Sequence, residues 1–224
     1  MSGGDERGSG ALGGGPRTPL TWGPRGLPVP WAVRWSGELV VTDEALTVGG
    51  EGRGLAYRDE RAGDRDRHGV LWARLTEEPG SGQPEFRCMH PVRQRRAMLE
   101  RLCQVCGGPA DRNGRGWLFA LRRPGAAEEV PGWPEGLLCT KPPVCAPCAH
   151  LAVAHCPHLG EPVFVRSRKP RVWGAFGGFF VPGPRGGLAA SGDDHLPYGH
   201  RAAPWFVANQ LVVELTRCTR VPAP

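Results

Sequence analysis

Lysine is nearly absent from this chain: Lys141 and Lys169 stand alone among 28 basic residues, and the rest are arginine. Together with abundant glycine, alanine and proline, that bias is what GC-rich coding produces, so many of the arginines need no functional explanation. Also missing is any apolar run of 18 residues. The nearest candidates, "VWGAFGGFFV" and "WFVANQLVVEL", are too short or too polar to span a bilayer. The first residues, "MSGGDERGSGALGGGPR", lack the basic start and apolar stretch of a secretory signal. These absences point to a soluble protein of a reducing cytoplasm, where paired cysteines serve as metal ligands or catalytic thiols more often than as disulfides. No phosphate-binding loop, Ser-His-Asp arrangement, pair of carboxylates or internal repeat stands out.

What is present bounds the architecture. A chain of 224 residues is long enough to bury a core without disulfide staples. Its 34 glycines and 24 prolines, about a quarter of the whole, predict many loops. The net charge of +6 is unevenly spread, being −2 over residues 1–87 and +8 over 88–224. Residues 1–18 read as a disordered Gly-rich tail. "WAVRW" and "ELVVT", separated by Ser36-Gly37, read as a hairpin, and "GVLWARLT" as a further strand. "EEPGSGQPE" (77–85) reads as a linker, so 19–87 is expected to be a β-rich unit and 88–224 a separate α+β unit. In the second unit Pro91 opens a helix that leads to Cys103. "WLFALRR" is expected to pair with "EGLLCT", and "APCAHLAVAHC" to form a helix. "PVFVRSR" and "RVWGAFGGFFV" read as strands. "PWFVANQLVVELTRC" reads as a closing amphipathic helix, with a strand as the competing assignment.

The clearest chemistry lies in "LCQVCGGPAD" and "PPVCAPCAHL". Zn²⁺ takes four tetrahedral ligands, and two cysteines three positions apart on a tight turn can both face one ion. Cys103 and Cys106, then Cys145 and Cys148, supply two such turns. They predict one structural zinc, with the glycines after Cys106 letting the backbone curl around it. A knuckle, then a hairpin, then a second CxxC at a helix start resembles a treble-clef zinc finger over about residues 100–158, carried by "CQVCGG", "WLFAL" and "VCAPCAHLAVAHC". The resemblance implies that Cys145 and Cys148 sit at a helix N-terminus and that two or three helices accompany a small β unit. In composition the chain is similar to uncharacterised zinc-binding proteins of actinobacteria and their phages. "CAPC" is also similar to the active site of thioredoxin-like proteins, although "TKPP" precedes it where a hydrophobic strand is needed. Cys88, His90, Cys139, His155, Cys156 and His158 form a possible second metal site or outer shell; buried thiols and a helix-end cap are the alternative. "DDHLPYGH" is similar to the DHxxP fragment of HNH nucleases but follows the second CxxC instead of lying between the two, so a surface loop is expected there.

Two function classes follow, with an enzyme of unrecognised site left open. In the first, the zinc holds a basic nucleic-acid-associated module, in which Arg93, Arg95, Arg96, Arg101, Arg122, Arg123, Arg166, Arg168, Lys169 and Arg171 meet the phosphates of DNA or RNA. Trp117 or Trp173 would then offer stacking surface. In the second, the finger binds a protein partner and the arginines are ordinary solvated surface.

Overall fold

A computed structural model describes residues 18–125, 130–183 and 187–224. The expected Gly-rich tail therefore lies, but for its last residue, outside the described residues. In chain order, β1 (Leu20–Trp22) and β2 (Leu27–Val29) form a hairpin, followed by β3 (Val33–Trp35), the single turn α1 (Thr42–Ala45), β4 (Leu46–Val48), β5 (Leu55–Tyr57), β6 (Leu71–Trp72) and β7 (Pro84–Met89). Helix α2 (Pro91–Glu100) precedes β8 (Arg112–Asn113), β9 (Gly116–Arg122) and β10 (Leu138–Cys139). Helix α3 (Ala146–His155) precedes β11 (Pro162–Ser167), β12 (Arg171–Pro182), β13 (Leu188–Pro197), β14 (Phe206–Glu214) and β15 (Cys218–Val221).

The described residues are thus mostly β, with two ten-residue helices spread over several sheets. This corrects the expected α+β arrangement of a β-rich unit beside a treble-clef unit. One sheet runs β10-β14-β12-β13 with β6 joined parallel to β14, and a second runs β15-β11-β9-β8. The closing helix is instead β14. Val207, Ala208, Leu211, Val212 and Val213 are all buried, and a strand covered on both faces loses the alternation that would mark it in sequence. Its valines favour the extended state. "EGLLCT" does not return beside "WLFALRR": β10 pairs with β14, while β9 pairs along its length with β11.

The Ser36-Gly37 hairpin also differs. β3 pairs with β7, and the chain turns inward so that Glu38 is fully buried. Segment 77–85 folds back on that turn, with the Ser36 N–H donating to Gln83 O at 2.8 Å and the Gly37 N–H to Ser81 O at 3.0 Å. The largest core joins Val70 and Trp72 to Met98, Phe119, Val165, Leu211 and Val213. Residues from both sides of the expected 87/88 boundary therefore share it.

Helix α2 begins at Pro91, as its missing N–H predicts. It is fastened to β14 by one side chain. Gln94 accepts the Leu211 N–H at 2.8 Å and donates to Leu211 O at 3.0 Å and Thr140 O at 2.7 Å. The helix ends when Arg101 turns left-handed at φ 58°, which aims the chain into the first cysteine turn. No helix among the described residues is long and apolar enough to cross a membrane.

Candidate functional site

The first cysteine turn is closed by the Cys103 N–H donating to Gly108 O at 2.7 Å and the Gly107 N–H donating to Cys103 O at 2.8 Å. Gly107 sits at φ 69°, and a Cβ there would come within 2.8 Å of the Trp31 ring, so the position needs glycine on both counts. The second turn begins at Cys145, the N-cap of α3, and places Cys148 in that helix's first turn. The positive end of the helix dipole favours thiolates there. β9 links the two turns. The Leu118 N–H donates to Asp111 O at 3.0 Å, just beyond the first turn, and Leu118 O accepts the Val144 N–H at 2.9 Å, just before the second.

The four sulfurs meet. One ligand atom from each of Cys103, Cys106, Cys145 and Cys148 lies within 4.8 Å of the other three, and all four residues are buried. The Cys106 and Cys145 sulfurs are 3.9 Å apart, against the about 3.8 Å edge of a tetrahedron with 2.3 Å metal–sulfur bonds. None of the four is in a disulfide. Val105, Leu118, Ala120, Val144, Ala149 and Phe164 enclose them in an apolar shell. Burial pushes the Cys103 thiol up to about 12. Burial, then the neighbouring thiols, push Cys148 up as well. For Cys106, burial is outweighed by a hydrogen bond from Gly108 and by the other thiols, which hold its pKa below the ordinary value. Cys103 and Cys148 thus resist ionisation in this apolar pocket. A divalent cation reverses that balance, because a coordinating thiol is deprotonated outright. A closed four-sulfur donor set with no open position fits structural zinc.

Among the described residues no other group of three or more His, Cys, Asp or Glu ligand atoms comes together in this way. Cys88 and Cys156 are exposed, Cys139 is buried on β10, and His155 and His158 lie exposed at and beyond the end of α3. His90 is buried at the start of α2, where its Nε2 donates to Thr76 O at 2.9 Å. Asp193, Asp194 and His195 lie on the exposed strand β13, not on a surface loop.

The arginines part company. Arg93 is fully buried, its guanidinium 2.5 Å and 2.9 Å from the two Glu38 oxygens and 2.7 Å from Val33 O. Arg166 is buried 2.5 Å from Asp111 and donates to Gly116 O. Neither presents its charge to a phosphate. Arg171 pairs with Glu214 at 2.6 Å and Arg96 with Glu100 at 3.3 Å. Arg95 lies over Trp72 at 4.4 Å, and Arg122 and Arg123 are exposed at the far end of β9.

Arg101, Arg168 and Lys169 instead join three residues that sequence reasoning missed. Registers across the second sheet align Arg112, Trp117, Ser167 and Cys218 in one row, about 14 Å wide at the usual strand spacing. Arg101 and Arg112 place their guanidinium groups 5.7 Å and 4.4 Å from the centre of the Trp117 ring. The hairpin turn carries Arg115. Beyond the row, the Arg168 N–H donates to Arg217 O and the Lys169 N–H to Thr216 O. Gly116, at φ 110°, lets these turns approach: a Cβ there would lie 2.1 Å from Ser167 O. Arg101 and Arg217 are the non-glycine residues with positive φ among those described, and both belong to this end of the sheet. Arg115 and its turn "NGR" were legible locally; Arg217 was not, because only strand register brings it there.

Compared with protein-family models, curated proteins and solved structures, the chain matches none of them.

Proposed function

We propose that the protein is a structural zinc protein whose ion holds a basic surface against the phosphate backbone of a nucleic acid. The observation that carries this reading is the row at one end of the second sheet. There Arg101 and Arg112 lie by the Trp117 ring, and the backbone sets Arg115, Arg168, Lys169 and Arg217 on the adjoining turns; none of the six has an ion-paired carboxylate among the described residues. The zinc is not the contact itself. Leu118, bonded to the segments beside both cysteine turns, is the next residue after Trp117 on β9, so loss of the ion would loosen the row. Of the arginines first assigned to phosphate contact, Arg93 and Arg166 are spent internally, and Arg101 gives part of its guanidinium to Met98 O and Pro170 O. The test is fluorescence anisotropy of the zinc-loaded full chain with random-sequence duplex DNA and RNA at 50 to 200 mM salt. With all six cations engaged on duplex DNA, log affinity falls against log salt with a slope of about −5. Arg115→Ala with Arg168→Ala weakens binding and flattens that slope, and Arg95→Ala with Arg96→Ala does much less. Absence of binding at the lowest salt, or indifference to the first pair of substitutions, defeats the reading.

A further inference from the structure

At the opposite end of β9, five residues and about 17 Å from Trp117, a second cationic feature has a different shape. A cleft of about 530 Å³ opens between the end of β9, the 130–137 loop and β10. Clefts of that size hold small organic molecules. Leu121, Leu137, Leu138 and Trp133 give it an apolar lining, and Arg122, Arg123 and Lys141 line it as well.

Among the described residues its charges are unbalanced. No carboxylate among the described residues pairs with Arg122, Arg123 or Lys141, whereas Arg34, Arg65, Arg74, Arg93, Arg166 and Arg171 each have one. Lys141 Nζ has, among the described residues, only the Met89 sulfur, at 3.8 Å. Among the described residues Glu135 is the one acid lining the cleft, and its two oxygens accept the Arg217 and Cys218 N–H groups at 2.8 Å each. Those hydrogen bonds hold its carboxyl below the ordinary carboxylate range. Burial pushes the Cys139 thiol, also in the lining, up to about 11, so it adds no negative charge at neutral pH. Three cations against the one ionised carboxylate of Glu135 leave the described lining net positive over a low-dielectric floor, which focuses a positive potential into the cavity. Trp133 has Arg220 at 5.0 Å from its ring centre, packs partly against the main core and lines the cleft.

We infer that this cleft binds a small phosphorylated molecule with a planar aromatic body, the chemistry of a mononucleotide: Arg122, Arg123 and Lys141 take the phosphate and Trp133 with its leucine neighbours takes the ring. The phosphate can arrive on a free nucleotide or at the 5′ end of a strand. This inference is independent of the basic row, since the two sites share no cation.

Isothermal titration of the zinc-loaded full chain tests it, with AMP, GMP, adenosine, inorganic phosphate, and a dinucleotide with and without a 5′-phosphate. AMP or GMP binds at one site per chain, and adenosine and inorganic phosphate bind at least about tenfold more weakly. Arg122→Ala and Lys141→Ala each lower affinity about tenfold, the scale of one charge-assisted hydrogen bond. Arg115→Ala with Arg168→Ala leaves it unchanged. A phosphorylated dinucleotide binding as tightly as AMP identifies a strand end as the source, and tighter AMP identifies the free nucleotide. No saturable binding at millimolar nucleotide, inorganic phosphate binding as tightly as AMP, or indifference to both cleft substitutions overturns the inference.

Discussion

Arg93 illustrates how little a residue's identity says about its employment. It sits in a helix rich in arginine and points inward, where Glu38 receives it through both oxygens while also accepting the N–H groups of Trp35 and Glu78. A buried pair of this kind is stabilising mainly in the sense that neither partner can be left alone. Arg93→Met is expected to cost about 3–5 kcal/mol in urea unfolding, because Glu38 stays charged and buried. The double variant Arg93→Met with Glu38→Gln recovers much of that loss, since glutamine still accepts from the backbone without carrying charge. A single variant within about 1 kcal/mol of the parent would mean that water reaches Glu38.

At the scale of elements, the two cysteine turns and β9 form one unit. Purified protein is expected to carry about one zinc per chain, and Cys103→Ser or Cys148→Ser to lose it, whereas exposed Cys156→Ser retains it. Chelation should remove hydrogen-exchange protection from the amides of Leu118 and Val144 while β12 and β14 stay protected, because those strands pair along their length with each other and pack on Trp72, Met98 and Leu196, which lie outside the zinc unit. Equal loss across both sheets would deny the zinc unit its separate cooperativity. The quartet was legible in sequence because metal binding imposes local spacing: each turn carries its own signature, and only their meeting had to be inferred. The helix from Pro91, the helix from Cys145 and strands β9, β11 and β12 were legible for similar local reasons. The partner of β9 and the state of β14 were not, since pairing is a long-range decision and an all-apolar run suits a buried strand or a buried helix equally. The basic row was hidden for the same reason. Its residues come from four separate stretches of chain, and its most conspicuous sequence competitors, Arg93 and Arg166, were claimed by Glu38 and Asp111.

The molecule as a whole should be sensitive to acid. Burial holds the His90 pKa below its ordinary 6.5, so the folded state binds fewer protons than the unfolded chain once the pH drops under that value. The stability His90 contributes is present above about pH 6.5 and is lost as pH falls toward its folded pKa. Glu38 follows at lower pH: burial opposes its charge, but Arg93 and the Trp35 N–H hold its pKa below 4.5, so its contribution disappears as pH falls through the folded value. Melting temperature is therefore expected to be higher at pH 7.5 than at pH 5.5, and a melting temperature that rises on acidification would contradict this. The Gln94 clamp has a consequence at the same scale. One flank of β14 is occupied by β6 at Val207–Ala208 and by β10 at Val213–Glu214, and between them the Gln94 amide takes both polar groups of Leu211. A side chain there impersonates a missing strand residue, so an intruding peptide finds no vacant rung along that border.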